Sequence, residues 1–102
     1  MVLLEFSMSP LDKGESLSPY VARLLNIIDN SGIDFRLTPM GTILEGEYEP
    51  VMNVVQQCFY ELQTDCDRIS VSLKIDYRAG QKSRLKSKVQ KIESLLNKQL
   101  SK

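Results

Sequence analysis

Apolar and polar residues alternate along four short stretches of this chain, and the alternation is clearest in residues 69–77. There Ile69, Val71, Leu73 and Ile75 are separated by serine, lysine and aspartate. A period of two predicts β-strands with one face on a core, because successive side chains of a strand point to opposite sides. The same pattern predicts three further strands, at residues 2–9, 33–38 and 42–48.

The stretches between these strands carry apolar residues at helical spacing. Ser18 and Pro19 predict the start of a first helix, with serine as N-cap and proline at the first helical position, and Gly32 suits the left-handed position after its end. A second helix is predicted to start at Glu49-Pro50, and a third to run over residues 83–100. The apolar stripes are Val51, Val54, Val55, Cys58 and Leu62 in the second helix and Leu85, Val89, Ile92, Leu96 and Leu100 in the third.

The predicted order is βαββαβ followed by a helix, in a single domain of residues 1–102. This order is typical of the α+β ferredoxin-like fold, an antiparallel sheet with helices on one face. The fourth strand has little to blunt it as an edge for pairing with another chain, so we expect a homo-oligomer. The open sheet face is predicted to carry Leu3, Glu5, Ser7, Arg36, Thr38, Ile43, Glu45, Ser72, Lys74 and Asp76.

The length and composition favour one small soluble domain. A chain of 102 residues can bury one modest core, and no apolar run approaches the roughly 20 residues needed to span a bilayer. Residues 2–5 lack the basic leader and long apolar region of a signal peptide. We therefore expect a cytoplasmic protein without a membrane partner.

The net charge is zero, but the charges are unevenly distributed. Residues 1–81 carry 6 basic and 12 acidic side chains, whereas residues 82–102 carry 7 basic side chains and the single acid Glu93. A basic tail can bind nucleic acid or anionic membrane. No aromatic residue stands between the lysines to stack on bases, so we interpret residues 82–102 as a basic C-terminal helix that is solvated or faces an acidic surface of its own or a neighbouring subunit.

The residue types needed for metal binding and for common catalytic systems are largely missing. Without histidine or a Cys-x-x-Cys motif, a zinc or iron–sulfur site and a Ser/His/Asp system are not expected. Cys58 and Cys66, if both on one helix, are separated by about 12 Å, beyond the reach of a disulfide, and are interpreted as buried thiols. Glu45 and Glu47 would project in parallel from one strand rather than oppose each other as acid and base. We expect a protein that is not an enzyme and has no cofactor.

Residues 39–47, Pro-Met-Gly-Thr-Ile-Leu-Glu-Gly-Glu, are the most informative segment of the chain. Glycine occurs where the backbone turns or where another group approaches closely. A carboxylate on a strand face needs a partner, because burying it unpaired is costly. This segment is where we expect a ligand.

Four segments together resemble the successive signatures of the small YkoF-like thiamine-binding proteins. They are residues 14–22 (Gly-Glu-Ser-Leu-Ser-Pro-Tyr-Val-Ala), 31–32 (Ser-Gly), 39–47 and 74–80 (Lys-Ile-Asp-Tyr-Arg-Ala-Gly). The resemblance covers nearly the whole chain. It implies the ferredoxin-like fold with a C-terminal helix, dimers or tetramers formed through the sheets, and binding of thiamine or its hydroxymethylpyrimidine moiety without catalysis, for salvage, storage or delivery.

The resemblance points most strongly to residues 40–45, and it implies that Thr42 and Glu45 contact the ligand; the chemistry of thiamine suggests further contacts. Thiamine joins an aminopyrimidine to a thiazolium with a fixed positive charge. Glu45 could neutralise this charge or accept a hydrogen bond from the exocyclic amine. Thr38 and Thr42 could supply hydroxyl groups, and Met40 a polarisable sulfur against a ring face. The expected ligand-binding set is Thr38, Met40, Gly41, Thr42, Glu45, Asp76 and Arg78.

Each of these residues also has a structural interpretation. Thr42 could serve only the turn, Glu45 could pair with Arg36 or Arg78, and Asp76 and Arg78 could form an ion pair that orders the end of the last strand. Accordingly, the alternative function is a structural or regulatory module for self-association or protein interaction, without a small-molecule ligand. A minor alternative has the basic tail contacting nucleic acid, with affinity that falls steeply with salt.

Overall fold

The computed structural model describes residues 1–80, which form a four-stranded sheet and two helices. The predicted third helix at residues 83–100 and the basic segment 82–102 lie outside the described residues. The elements, in chain order, are β1 (Val2–Pro10), α1 (Ser18–Asn30), β2 (Asp34–Thr38), β3 (Gly41–Gly46), α2 (Tyr48–Gln63) and β4 (Ile69–Tyr77).

The sheet has the strand order β2-β3-β1-β4, and every pair of neighbours is antiparallel. β1 lies at the centre, so that Leu4 pairs with Leu44 of β3 on one side and with Ile75 of β4 on the other. α1 and α2 pack against each other and against the central strands. The ferredoxin-like α+β fold is therefore confirmed, and β4 forms an edge of the sheet as predicted.

The core lies between the two helices and the central strands. β1 alternates as its sequence predicts, with Val2, Leu4, Phe6 and Met8 buried and Glu5 exposed. All five residues of the stripe predicted for α2 are buried as well, because their spacing places them on one side of the helix. Among residues 1–80, the side chains that are completely buried are Leu4, Leu44, Val51, Cys58 and Leu62.

The start of α1 differs from the prediction. Leu17, not Ser18, occupies the N-cap position, and no side chain caps this end of the helix. The carbonyl oxygen of Leu17 accepts the first hydrogen bonds, from the backbone N–H groups of Tyr20 and Val21, each at 3.0 Å. Pro19 has no N–H to offer, so a capping hydroxyl would have had one donor fewer to satisfy.

The boundary between β3 and α2 also differs from the prediction. β3 ends at Gly46 rather than Tyr48, and α2 begins at Tyr48, two residues before Pro50. Proline fits there because the first four N–H groups of a helix have no intrahelical partner. At its other end, α2 stops at Gln63. Cys66 therefore lies beyond this helix, whereas Cys58 lies on it.

A charged contact joins α1 to the end of α2. The Arg23 guanidinium donates to both carboxylate oxygens of Asp65, at 2.9 Å from Nη1 and 3.0 Å from Nη2, and Nη2 also donates to the carbonyl oxygen of Glu61 at 2.9 Å. Hydrogen bonds from Arg23 hold the pKa of Asp65 below its ordinary value. This bidentate contact links α1 to the segment that follows α2.

Leu44 is fully buried, so we expect its side chain to contribute strongly to the stability of the fold. Leu44→Ala should lower the free energy of unfolding by about 2–5 kcal/mol, because it leaves a cavity in a core where the side chain is fully buried. The matched control is Leu37→Ala on the neighbouring strand, whose side chain is 53% exposed. Urea unfolding of both variants checks this, and equal losses would contradict the difference in burial between the two leucines.

Asp65 should contribute to stability above its unfolded pKa and lose that contribution on acidification. Its folded pKa is lowered from the ordinary 3.8, so the unfolded state binds the proton more readily and the contribution disappears as pH falls through the folded pKa. Unfolding free energies at pH 7 and pH 3 should differ less for Asp65→Asn than for the unsubstituted protein. Arg23→Gln should reproduce that change, and the double variant should add little to it. An unchanged difference in both single variants would show that the contact does not persist in solution.

Candidate functional site

The hairpin between β2 and β3 is closed by a two-residue turn, Pro39-Met40, between the paired residues Thr38 and Gly41. The Thr38 hydroxyl donates to the carbonyl oxygen of Gly41 at 2.8 Å and accepts from the backbone N–H of Met40 at 3.2 Å. Threonine hydroxyls commonly stabilise turns in this way. The hydroxyl of Thr38 thus forms hydrogen bonds within the turn, whereas Met40, at the tip of the turn, is 83% exposed.

Gly41 is required by close packing between β3 and β1. A Cβ atom at this position would lie 2.7 Å from the backbone carbonyl oxygen of Phe6 and 3.6 Å from the Cβ of Ser7. The first distance is shorter than any ordinary contact, and the backbone on both sides cannot easily move. Glycine here lets the hairpin lie directly against β1.

A recess of about 190 Å³ opens between α1 and this hairpin, on the side of the sheet that carries the helices. We call it the helix-side recess. Thr38, Met40, Gly41 and Thr42 line it, and Thr42 is only 8% exposed. The other walls are mainly apolar, and no charged side chain is among the described residues that form them. They include Phe6, Met8, Val21, Leu24, Ile28 and Leu37.

Glu45 lies on the opposite side of the sheet. It pairs with Leu3 of β1 and with Asp34 of β2, and its side chain is 4% exposed. Thr42 and Glu45 are three residues apart on one strand, and an odd separation places side chains on opposite faces. The structure therefore does not bring Thr42 and Glu45 into one recess.

A second recess, the open-face recess, lies beside Glu45 and has a volume of about 240 Å³. Asp76 lines it and pairs with Leu3 on the side of β1 opposite to Glu45. Arg78 follows the end of β4 and is exposed. The residues that line the open-face recess are Leu3, Glu5, Ile43, Lys74 and Asp76.

The two sides of the sheet differ in charge. The register places four carboxylates and two cations on the open face, whereas the helix-side recess has uncharged walls. An excess of carboxylates lowers the local potential and attracts cations. The charged residues of the open face are Glu5, Asp34, Glu45 and Asp76 with Arg36 and Lys74.

Sequence reasoning missed the walls of the helix-side recess that come from α1 and β1. Val21 and Leu24 belong to the apolar stripe of α1, and Val21 is 39% exposed although its spacing resembles that of a core residue. The sequence held no signal for this role, because helical spacing does not show which apolar residues of a stripe border an opening. A further cleft of about 460 Å³ between the helices was also missed; its polar lining includes Asn26, Asn30, Asn53 and Gln57.

Both cysteines are buried and free, as interpreted from the sequence. Burial raises the pKa of the Cys58 thiol to about 11, and burial together with the neighbouring Asp65 carboxylate raises the pKa of Cys66. The reactive thiolate is therefore disfavoured at both positions.

Within residues 1–80 no group of three His, Cys, Asp or Glu side chains is placed to hold a metal ion. None of the helices in this part of the chain is long and apolar enough to cross a bilayer.

Comparison with known families identifies this chain at the family level. Residues 4–93 match the model of the thiamine-binding protein family. The chain belongs to this family. The match includes the hairpin, the helix-side recess and both strands that pair with β1.

Relatives of similar length support the same assignment. The UPF0045 protein MJ1052 of Methanocaldococcus jannaschii is 31% identical over 92% of this chain and 94% of its own length. A UPF0045 protein of Mycobacterium tuberculosis is also 31% identical, over 93% of this chain and 94% of that protein.

Solved structures of relatives share the fold. The crystal structure of MJ1052 superposes with a TM-score of 0.81 at 31% identity, covering 89% of this chain and 94% of that one. A Thermotoga maritima protein with a proposed role in thiamine biosynthesis or salvage, TM0486, superposes with a TM-score of 0.78 at 27% identity, covering 89% of this chain and 97% of that one.

Gly41→Ala should destabilise the protein more than Gly32→Ala does. Gly32 also has a positive φ, of 77°, but a Cβ there would meet no atom within 4 Å, so alanine costs only about 1–2 kcal/mol of backbone strain. At Gly41 the steric clash with β1 adds to the cost. Urea unfolding of both variants measures the difference, and an equal or smaller loss at Gly41 would show that the hairpin can move away from β1 freely.

Proposed function

We propose that this protein binds thiamine or its hydroxymethylpyrimidine moiety without transforming it, and serves in salvage, storage or delivery of the vitamin. Membership of the thiamine-binding family supports the ligand class. The role proposed for the Thermotoga maritima relative, in thiamine biosynthesis or salvage, points to the same area of metabolism. The proposal places the pyrimidine ring in the helix-side recess.

The observation that carries this placement is a buried threonine in an apolar slot. Thr42, part of the segment 39–47, is 8% exposed where β3 faces α1, and Leu24 and Leu37 stand beside it. Ligand sites for flat heterocycles combine apolar walls with a few polar groups that fix orientation. An aminopyrimidine is flat and uncharged and has both donors and acceptors, so it matches these walls.

The size of the recess favours one ring over the whole vitamin. Its volume of about 190 Å³ is below the roughly 300–1,000 Å³ of pockets that enclose drug-sized ligands. The thiazolium would then extend past Met40, whose side chain is 83% exposed at the mouth. Its positive charge would remain in water, where no desolvation has to be compensated.

A ligand bound in the helix-side recess does not contact Glu45, Asp76 or Arg78. They define the rival placement, in which the thiazolium lies in the acidic open-face recess against Asp76 and close to Glu45. A cation gains there from the excess of carboxylates. The two placements lie on opposite sides of one sheet and can be separated by substitution.

Calorimetric titration with thiamine and with hydroxymethylpyrimidine distinguishes the two recesses. Thr42→Val keeps the shape but removes the hydroxyl, and should weaken binding of both ligands about 2- to 12-fold, the value of one net hydrogen bond. Thr42→Ser should retain most of the affinity. Glu45→Gln, on the opposite side, is the matched control and should leave binding unchanged. Each variant's melting temperature without ligand shows whether it remains folded.

Three outcomes of this titration would count against the proposal. Weakening by Glu45→Gln alone, and for thiamine alone, would move the site to the open face. Equal affinity of Thr42→Val and the unsubstituted protein would remove the hydroxyl from the site. No heat and no rise in melting temperature at millimolar ligand would exclude binding altogether, because a ligand selective for the folded state stabilises it.

The second candidate function is a module for self-association or protein interaction without a small ligand. It is favoured by the exposed edge of β4, nine residues long, whose far side pairs with no described strand. We propose that the protein forms a dimer or tetramer through sheet edges and faces in the cytoplasm, whichever function applies. A titration without binding, together with an oligomer in native mass spectrometry, would favour this second function.

A further inference from the structure

The cleft of about 460 Å³ between α1 and α2 has carboxamide groups on both of its sides; we call it the interhelical cleft. Asn26 and Asn30 are four residues apart on α1, and Asn53 and Gln57 are four residues apart on α2. Residues at this spacing lie on one face of a helix. Two pairs of amides therefore border the same space from opposite helices.

The floor of the interhelical cleft is aliphatic. Val54 is 1% exposed, and Ile27 and Ile33 are half-buried where they pack against the core. No charged side chain is among the described residues that line the cleft. The cleft thus combines an apolar surface with neutral hydrogen-bond donors and acceptors along its edges.

The opposite end of the helix pair is closed by charged groups. Arg23, near the start of α1, donates to Asp65 and to the carbonyl oxygen of Glu61 near the end of α2. The two helices are therefore antiparallel, and Asn30 and Asn53 lie towards the end where the space between the helices stays open.

The amides of the cleft do not join the two helices. Asn30 donates to Asn26 of its own helix at 3.4 Å. Within residues 1–80 the side chains of Asn53 and Gln57 have no hydrogen-bond partner, and both residues are exposed. The carboxamides of α2 can therefore exchange water for the polar edge of a ligand.

The chemistry of a carboxamide indicates which ligand edge it matches. It presents two N–H donors beside a carbonyl acceptor, and its complement is an amine next to a ring nitrogen. Asn and Gln bind the exocyclic amine and the adjacent ring nitrogen of adenine in this bidentate manner. Aliphatic walls suit the faces of such a ring, because ligand pockets combine apolar surface with a few polar groups.

We propose that the interhelical cleft binds a neutral adenine nucleoside, with the base on the aliphatic floor and its amine edge at Asn53 and Gln57. The aminopyrimidine of thiamine has a similar edge, but size separates the two ligands. The cleft has more than twice the volume of the helix-side recess, about 460 Å³ against about 190 Å³. A two-ring base with its ribose fits the usual range of about 300–1,000 Å³, whereas a single pyrimidine ring would leave most of the cleft to water.

The neighbouring charges favour a nucleoside over a nucleotide. Asp29, Asp34 and Glu49 each adjoin a lining residue in sequence, and all three are acidic. Carboxylates close to the cleft repel a phosphate group. Adenosine should therefore bind about tenfold more tightly than adenosine monophosphate.

Calorimetric titration of the full chain with adenosine tests this site. Asn53→Leu combined with Gln57→Leu keeps the side chains similar in size but removes both carboxamides, and should weaken binding about 5- to 150-fold, the value of one bidentate pair. The matched control is Gln56→Leu combined with Gln63→Leu, two exposed glutamines of α2 that do not line the cleft. This control should bind adenosine as the unsubstituted protein does. The melting temperature of each variant without ligand shows whether it remains folded.

Titration with inosine tests the amine edge separately. Inosine has a carbonyl oxygen where adenosine has its exocyclic amine, so one donor of the bidentate pair is lost. It should bind at least about tenfold more weakly than adenosine to the unsubstituted protein. Equal affinities for the two nucleosides would contradict recognition through this edge.

Three further results would overturn the inference. No heat and no rise in melting temperature at millimolar adenosine would exclude a nucleoside site. Equal affinity of the cleft variant and its matched control would remove the amides from the site. Loss of hydroxymethylpyrimidine binding in the cleft variant, with no loss in Thr42→Val, would assign the cleft to that smaller ligand. The inference does not depend on the proposed function, and Thr42→Val should leave adenosine binding unchanged.

Discussion

The central position of β1 is the constraint on which the rest of this structure depends. β1 hydrogen-bonds to β3 on one side and to β4 on the other, so its register assigns each residue of both neighbours to a face. Val2, Leu4 and Phe6 are held under the helices by the hydrophobic effect. A shift of either neighbour by one residue would move its apolar residues to the opposite side. The core therefore determines on which side each polar group of the sheet is found.

This constraint divides the hairpin between two environments. Its helix side contributes Thr42 to an uncharged recess whose remaining walls come from α1 and β1. Its other side contributes Glu45 to a surface rich in carboxylates. The segment 39–47 thus supplies only one part of each environment. The chemistry of each side depends equally on residues distant in sequence, which only folding brings together.

The sequence predicted the elements well where a periodic pattern was strong. β4 was predicted at its observed bounds, and all five residues of the α2 stripe are buried. The errors lie at the ends of elements, where a single hydrogen bond determines which residue is the first or the last of the element. Leu17 rather than Ser18 accepts the first bonds of α1. Likewise, Pro50 did not mark the start of α2, since proline is tolerated throughout the first turn.

The candidate site was predictable only in part. Four of the predicted residues, Thr38, Met40, Gly41 and Thr42, line one recess, and counting along the strand would have separated Thr42 from Glu45. Val21 and Leu24 could not be assigned to that recess from spacing alone, since a stripe reveals which residues are apolar but not which of them border an opening. That information depends on where α1 crosses the sheet.

The Thr38 hydroxyl has a thermodynamic consequence for any molecule that enters beside the turn. Because it holds Met40 and Gly41 through two hydrogen bonds, this rim of the opening is already ordered before a guest arrives. Preorganisation of this kind reduces the entropy lost on association. Selectivity between related guests would then be expressed mainly in how long each one stays, and much less in how quickly each one enters.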